Sequence, residues 1–154
     1  MRETGVIREV KEDIITALQT DPTLAKEEYY YSWLEVDTNT RKPCHSVDIE
    51  EETLIDGGCV GGLKDAYSAK GFIIDYIEPE MDKTKISGDL DNFRERTRNA
   101  LKTADRDGTF TRITSWTYKR SYPRPWTVEF QGSLKILAHR MITEFDVEYE
   151  VTES

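Results

Sequence analysis

The sequence predicts an α+β domain in which an antiparallel or mixed β-sheet is covered on one face by two amphipathic helices. Apolar residues alternate with polar ones over residues 126–138 and again over 145–151, and two other segments show helical spacing. Successive strand side chains point to opposite faces, so each alternation predicts one buried and one exposed face. The 154 residues are predicted to form one domain (1–154), with extended loops near 37–43, 56–66 and 119–125.

The first half of the chain is predicted to contain one helix followed by strands. Pro22 ends a helix over residues 3–20, whose apolar residues are spaced three and four apart: Val6, Ile7, Val10, Ile14 and Leu18. An aromatic segment predicts a strand over residues 29–36. A polar, hairpin-like passage at 37–41 then leads to a second strand over 44–54.

The middle of the chain predicts a strand over residues 71–78 and a second helix over 89–104. Asp89 is the predicted N-cap of this helix. Its apolar residues share one face: Leu90, Phe93, Ala100, Leu101 and Ala104.

The last third of the chain is predicted to be rich in strands. Residues 110–122 form the first of them, and Pro123 and Pro125 lie in a connection to the next. The following alternation predicts a single buried face: Trp126, Val128, Phe130, Leu134, Ile136 and Ala138.

Composition limits the classes of function. Acidic residues outnumber basic residues by 30 to 21, for a net charge of −9, which disfavours nucleic-acid binding by the whole protein. The longest strongly apolar run, residues 72–74, is far below the ~20 residues of a membrane span. The N-terminus lacks the apolar region of a secretory signal, so we expect a protein that acts inside a cell or in something assembled there. Cys44 and Cys59 are expected to be free thiols.

No complete catalytic, nucleotide-binding or metal-binding motif is present. The spacing of Gly57 and Gly62 is that of a phosphate-binding loop, but Lys64 is displaced by one position and no Ser or Thr follows it. Cys44 and His45 are adjacent, so on a strand they point to opposite faces and cannot easily share a metal ion. We therefore predict no catalytic residue, no metal and no cofactor.

Two segments are candidate docking elements for a partner. The first combines cations, aromatic rings and stiffening prolines, which are typical of protein interfaces and also stack on bases: Tyr118, Lys119, Arg120, Tyr122, Arg124 and Trp126. A plain hairpin tip is equally compatible with this pattern, and the acidic composition favours a protein partner over nucleic acid. The second is the glycine loop: Gly57, Gly58, Gly61 and Gly62.

The order of the elements resembles a known family. A short amphipathic helix ends in Leu18-Gln19-Thr20-Asp21-Pro22-Thr23-Leu24, strands and the helix over 89–104 follow, and long strands end in the acidic alternation over 145–151. This layout resembles the small tail terminator and tail-completion proteins of tailed bacteriophages. The segment with Glu50-Glu51-Glu52 and the glycine loop is longer than the family pattern.

The resemblance implies a structural virion protein without enzymatic activity, located in the tail or neck and assembled in the host cytoplasm. Such proteins form a ring, usually hexameric, that caps the tail tube and joins it to the head. The implied partners are further copies of the chain, the tail tube protein, a neck or head-completion protein and, in contractile tails, the sheath protein. DNA would only pass through the channel, and no membrane is involved. A head–tail connector, neck or baseplate subunit is the alternative within this class. A small intracellular enzyme or ligand-binding domain, and a nucleic-acid binder that uses the basic segment, are alternatives of other classes.

Overall fold

The computed structural model describes residues 2–56, 64–79 and 82–152. These residues form helices α1 (Val6–Leu18) and α2 (Lys83–Asp107) and strands β1 (Glu28–Tyr30), β2 (Cys44–Asp56), β3 (Lys64–Ile77), β4 (Ile113–Phe130) and β5 (Ser133–Thr152). The strands make one sheet in the order β1-β2-β3-β5-β4, with β1 parallel to β2 and the other neighbours antiparallel. The predicted α+β class with a mixed sheet is confirmed.

Both helices pack on the same face of the sheet, which is called the inner face below. Residues 145–151 of β5 alternate as predicted, with the odd-numbered side chains buried inward, while the exposed side chains of Glu148 and Glu150 face away. The inner core joins both helices to the strands through Val10, Ile14, Leu18, Leu90, Leu101, Val47, Ile73, Phe145 and Val147. The opposite face of the sheet, the outer face, is covered by neither α1 nor α2.

A glycine in the centre of the sheet makes room for a buried aromatic ring of the inner core. Gly71 of β3 lies directly opposite Phe145 of β5. A Cβ atom at Gly71 would lie 2.2 Å from the Phe145 ring, well inside van der Waals contact. The missing side chain therefore lets the phenyl ring lie flat across β3 and fill the space below the helices.

Helix α2 begins earlier than the sequence predicted. The helix starts at Lys83, and its N-cap is Asp82, whose carboxylate accepts hydrogen bonds from the N–H groups of Thr84 (3.0 Å) and Lys85 (3.2 Å). Asp89, the predicted cap, lies inside the helix. At the other end, Gly108 closes the helix in the left-handed region with φ 65°.

The predicted strand over residues 29–36 is wrong in length. Strand β1 ends at Tyr30, and residues 33–35 form a short 3₁₀ helix in which Ser32 caps the N–H of Leu34. The passage at 37–41 is irregular, as predicted, but it does not close a hairpin because β1 and β2 are parallel. Strand β3 is longer than predicted, since it begins at Lys64.

The predicted division of the last third is also wrong. Strand β4 is continuous from Ile113 to Phe130, so Pro123 and Pro125 lie inside a strand. Residues 119–125 are therefore part of this strand and do not form the predicted loop. As β4 forms one edge of the sheet, it tolerates prolines that lack an N–H donor. The chain instead reverses at Gln131 (φ 52°) and Gly132 (φ 80°), the two positive φ values that a type I′ hairpin turn requires.

A buried carboxylate connects the first helix to the start of β4. Asp13 of α1 is 8% exposed and accepts three backbone hydrogen bonds, from Thr111 (3.0 Å), Arg112 (2.6 Å) and Ile113 (2.9 Å). The guanidinium of Arg112 in turn binds Glu3 at 2.8 Å. These contacts hold α1 over the sheet at a point nearly a hundred residues away along the chain.

We predict that Asp13→Ala lowers the free energy of unfolding by about 2–4 kcal/mol, because three N–H donors lose their acceptor. Urea denaturation measures the change. Glu12→Ala is the matched control, since Glu12 is exposed and forms only a surface pair with Arg8 at 3.5 Å, which is worth less than about 1 kcal/mol. Equal losses in the two variants would contradict this account.

Candidate functional site

The residues of the first predicted docking element lie on two faces of the sheet rather than in a loop. Tyr118 packs against the inner core, near Trp116. A β-bulge follows, so that Lys119 is an extra residue between Tyr118 and Arg120. The register then places the remaining members opposite outer-face residues of β5. Arg120 lies opposite Glu144, Tyr122 opposite Ile142, Arg124 opposite Arg140 and Trp126 opposite Ala138.

Two of the cations in this element are neutralised by neighbouring carboxylates. The Lys119 ammonium lies 3.1 Å from Asp146, and the Arg120 guanidinium is hydrogen-bonded to Glu144. That hydrogen bond raises the pKa of Arg120. The segment is therefore not the strongly positive stripe that a nucleic-acid backbone requires, which favours a protein partner.

The other two arginines of the outer face lie opposite each other across β4 and β5. Arg140 Nε donates to the backbone oxygen of Arg124 (3.2 Å), and the Arg124 guanidinium lies 5.3 Å from the centre of the Tyr122 ring. Burial lowers the pKa of Arg140. Neither guanidinium is paired with a carboxylate in the part of the chain that the structure describes. Like charges opposite each other destabilise a sheet, so an anion bound between the two guanidinium groups would stabilise this pair.

Next to Arg140 the outer face forms an open groove of about 380 Å³. Apolar side chains from the 3₁₀ turn and from β3, β4 and β5 line it, together with the carboxylates of Asp48 and Glu50 from β2: Trp33, Phe72, Ile74, Tyr122 and Ile142. Trp33 is 52% exposed, and its backbone N–H is held by the carboxylate of Asp48 at 3.1 Å. Apolar walls beside an unpaired arginine are typical of a docking surface.

Trp126 is half-buried at the end of this face. Its ring meets Tyr76 edge-on at 6.3 Å and packs against a small cluster that includes Val36 and Cys44. Burial raises the pKa of the Cys44 thiol to about 12, so that this cysteine is an inert, protonated core residue. The predicted role of Trp126 as a docking anchor stays a prediction.

Beyond Trp126, the hairpin of β4 and β5 projects past the end of β3 as an arm formed by residues 127–136. Strand β3 ends at Ile77, which pairs with His139, so no third strand among the described residues accompanies the arm. The four paired rows of the arm, with three spacings of ~3.4 Å, span about 10 Å. An unaccompanied two-stranded ribbon is at best marginally stable in water.

The arm exposes apolar side chains on both of its sides. Trp126 lies opposite Ala138, but the next residue, Thr127, lies opposite Ile136. Leu137 is therefore an extra residue in β5. Because opposite residues share a face, Val128 (43% exposed) and Phe130 (65%) continue the outer face, while Leu134 (76%) and Ile136 (42%) lie on the inner side. The single buried face predicted over residues 126–138 is therefore wrong.

The second predicted docking element, Gly57, Gly58, Gly61 and Gly62, lies outside the described residues, as does Cys59.

Sequence reasoning missed a buried cluster around His45. The ring is 1% exposed, and its Nδ1 lies 2.6 Å from Asp75 Oδ1 while its Nε2 lies 2.9 Å from Glu27 Oε1. Tyr29 stacks on the ring at 4.9 Å and Phe93 of α2 meets its edge at 5.3 Å. The cluster thus joins the segment before β1 to β2 and β3 beneath α2.

The electrostatics of this cluster indicate a charged brace. Burial alone lowers the pKa of His45, but the hydrogen bonds to Asp75 and Glu27 outweigh it and raise the pKa to about 9. Both ring nitrogens are occupied by carboxylates, so the imidazole has no free nitrogen to present to a substrate. The sequence did contain a signal for this cluster. His45 and Asp75 occupy positions on the inner face of β2 and β3 where the alternation otherwise places apolar residues.

Other chemical features of the described residues are limited. The cleft beside Glu27, about 400 Å³, is lined by side chains of both charges, among them Lys42, Asp89 and Arg96. Within residues 2–56, 64–79 and 82–152, no three His, Cys, Asp or Glu side chains are arranged to hold a metal ion. Neither of the helices in these same ranges has the length and apolar composition that a membrane crossing needs.

No protein-family model matches the sequence, and no curated protein is significantly similar to it. Geometry and charge are thus the basis for assigning a function.

We predict that the imidazole of His45 titrates near pH 9, against 6.5 for an unperturbed histidine. Because the folded state holds this proton more tightly than the unfolded chain, the added stability is complete below pH 6.5 and is lost as the pH rises through about 9. The loss is roughly 3 kcal/mol. Histidine NMR measures the pKa, and urea denaturation between pH 6 and pH 9.5 measures the stability.

The chain contains only two histidines, so His139→Gln assigns the two sets of ring signals. A His45 ring that titrates at its ordinary value, or a free energy of unfolding that stays constant between pH 6 and pH 9.5, would disprove the charged brace.

Proposed function

We propose that this chain is a non-enzymatic assembly protein: a tail terminator that forms a closed, hexameric ring on the tail tube of a phage-like particle. The observation that supports this proposal best is the arm of residues 127–136, which exposes Val128, Phe130, Leu134 and Ile136. The rest of the sheet buries its inner face under two helices, whereas the described residues leave apolar side chains exposed on both sides of the arm.

An arm with two apolar sides suits a subunit that meets neighbours on both sides. A large apolar surface left open on a soluble chain marks a site of association. Covering the arm also stabilises a ribbon that lacks a third strand. A head-to-tail contact between different surfaces of identical copies produces a ring when the rotation closes.

The edges of the sheet restrict association through added strands to a few segments. One edge is β1, whose three residues pair with Cys44–Ser46 and leave β2 from Val47 onward without a described strand beside it. The other is β4, where Pro123 and Pro125 remove two N–H donors from the middle of the strand. Strand addition between subunits is therefore open to the ends of β4 and to this part of β2.

As a tail terminator, this ring would contact the tail tube and the head side of the particle, and DNA would pass through it. The order of helix, strands, helix and long strands is the layout on which the resemblance to tail terminator proteins rests. A net charge of −9 suits a channel through which DNA moves, because like charges prevent the phosphates from binding. The proposed partners are the tail tube protein and a neck or head-completion protein, and the sheath protein where the tail contracts.

The remaining classes receive less support. An enzyme would need a reactive group that faces a pocket, whereas His45 is enclosed by two carboxylates and Cys44 is buried and protonated. A nucleic-acid binder would need a run of free cations, whereas Lys119 and Arg120 are paired with Asp146 and Glu144, and Arg124 and Arg140 are the arginines of this segment and its neighbour that lack a described carboxylate partner.

We predict that the wild-type protein forms a ring of defined mass at high concentration, and that Leu134→Asp abolishes it. A buried aspartate without a partner costs several kcal/mol, more than a contact of this size is expected to supply. Native mass spectrometry and electron microscopy detect the ring, while circular dichroism and thermal unfolding confirm that the variant is folded.

Leu54→Asp is the matched control. Leu54 is an exposed strand residue (51%) at the opposite end of the sheet, opposite Tyr67 of β3. The control should keep the ring. A wild-type protein that stays monomeric at every concentration and beside the tube protein would refute the proposed function.

A separate prediction concerns position in the particle. Gold labelling of a tagged copy on purified particles should mark one point between head and tail, because a terminator occupies the last ring of the tube. Labelling along the tail shaft or at the distal baseplate would contradict the terminator role and favour the tube or baseplate alternative.

A further inference from the structure

We infer that residues 27–30 form a latch on the edge of the sheet: when His45 loses a proton, Glu27 is released and β1 separates from β2. The inference does not depend on the proposed ring, because it concerns how one chain covers its own sheet edge.

Two carboxylates share the protons of one imidazole. Asp75 Oδ1 lies 2.6 Å from Nδ1 of His45, and Glu27 Oε1 lies 2.9 Å from Nε2. A charged imidazole donates from both nitrogens, whereas a neutral imidazole keeps one N–H and presents a lone pair at the other nitrogen. Loss of one proton therefore breaks one of the two hydrogen bonds and places a lone pair against a carboxylate.

Burial decides which carboxylate is released. The Asp75 side chain is 0% exposed, and its second oxygen, Oδ2, has no hydrogen-bond partner among the described residues. Without the imidazole N–H this carboxylate would be a buried charge with no side-chain donor, which is costly. The Glu27 side chain is 12% exposed and lines the cleft of about 400 Å³, so it can turn into water. The remaining proton therefore stays on Nδ1, and Glu27 leaves.

The other groups around the imidazole do not replace the lost hydrogen bond. Tyr29 and Phe93 contact the ring with their own rings, and the Tyr29 hydroxyl donates to the carbonyl of Leu24 at 2.8 Å. The cleft that receives Glu27 is lined by charged side chains of both signs: Lys42, Lys85, Arg96, Glu78 and Asp89. The released carboxylate thus exchanges one buried partner for a hydrated, mixed-charge surface.

Glu27 directly precedes the shortest strand of the sheet. Strand β1 has three residues, lies at an edge and pairs only with residues 44–46 of β2. Leu24 before it is fully buried, and the N–H of Trp33 after it is held by Asp48 at 3.1 Å. Short segments at an edge open locally at a much lower cost than the core. Once Glu27 is released, the rows of β1 separate while both flanking anchors stay in place.

Opening of the latch lengthens the uncovered edge of the sheet. With β1 in place, β2 lacks a described neighbour from Val47 onward, and with β1 open it would lack one from Cys44 onward. The Cys44 side chain, which is 0% exposed, would lose the cover of Tyr30. Because the two carboxylates raise the pKa of His45 to about 9, the latch is closed at neutral pH and opens above it. The latch thus controls how much unpaired backbone is presented to an added strand.

Thiol labelling of Cys44 tests the latch in the full-length chain. Cys59→Ser leaves Cys44 as the single thiol, and its labelling rate is divided by that of the urea-unfolded chain at the same pH. This ratio should rise at least about tenfold between pH 7 and pH 10, because a charge-assisted hydrogen bond is lost. The midpoint should coincide with the pH at which histidine NMR shows that His45 titrates.

Urea dependence separates local opening from global unfolding. Local opening exposes little surface, so the labelling of Cys44 at pH 9.5 should change little with low urea concentrations. The control is Ala69→Cys in a chain with Cys44→Ser and Cys59→Ser. Ala69 is 2% exposed on β3, and labelling there should rise steeply with urea.

A pair of matched variants tests the role of Glu27. Glu27→Gln removes one of the two charges on the imidazole, so the midpoint of Cys44 labelling should fall by about one pH unit or more. Glu28→Gln is the control, since Glu28 is exposed and accepts a hydrogen bond from the Tyr30 hydroxyl at 2.8 Å. Its midpoint should stay at the wild-type value.

Three results would overturn the latch. They are a labelling ratio that is constant between pH 7 and pH 10, a urea dependence at Cys44 as steep as at Ala69→Cys, and equal midpoints for Glu27→Gln and Glu28→Gln. None of these measurements reports on assembly, so the proposed function is tested separately by the ring experiments.

Discussion

The pairing of β5 with its two neighbours is the interaction on which the rest of the structure depends. From His139 to Thr152 this strand is paired on both sides over most of its length, and its inward side chains form the floor on which the helices pack. The close approach of Phe145 to Gly71 fixes its register against β3. Where β3 ends, β5 keeps only one neighbour, and the same strand changes from the centre of the core into one half of an exposed arm.

The sequence predicted the buried half of the molecule well, because burial imposes periodicity. The alternation over residues 145–151 and the helical spacing in α1 describe side chains that face the inner core, and both are confirmed. The start of α2 was missed because residues 83–88 are mainly polar and include Gly88, which offers little helical signal. The cap at Asp82 and packing of Ile86 against the core decide the start instead.

The exposed half could not be predicted in the same way. Trp126 to Ala138 alternates cleanly, but the turn at Gln131 and Gly132 divides it, and Gln-Gly is a weaker turn signal than Asn-Gly or Asp-Gly. Two prolines indicated a loop, although an edge strand accepts them. The partnering of His45 with Asp75 and Glu27 depends on long-range register, which composition and local spacing do not contain. The arm and the groove required the strand order before either could be recognised.

The extra residue at Leu137 has a consequence for how such a protein can change. In a regular strand adjacent side chains point to opposite faces, whereas the bulge at Leu137 places Ile136 and Ala138, two positions apart, on opposite faces. Deleting Leu137 would make Ile136 the neighbour of Ala138, so that Ile136 and Leu134 would stay on the helix side and the residues from His139 onward would keep their places. A one-codon deletion at this position would thus regularise the ribbon without redirecting its apolar side chains, whereas a deletion next to it in the paired rows would turn them to the other face.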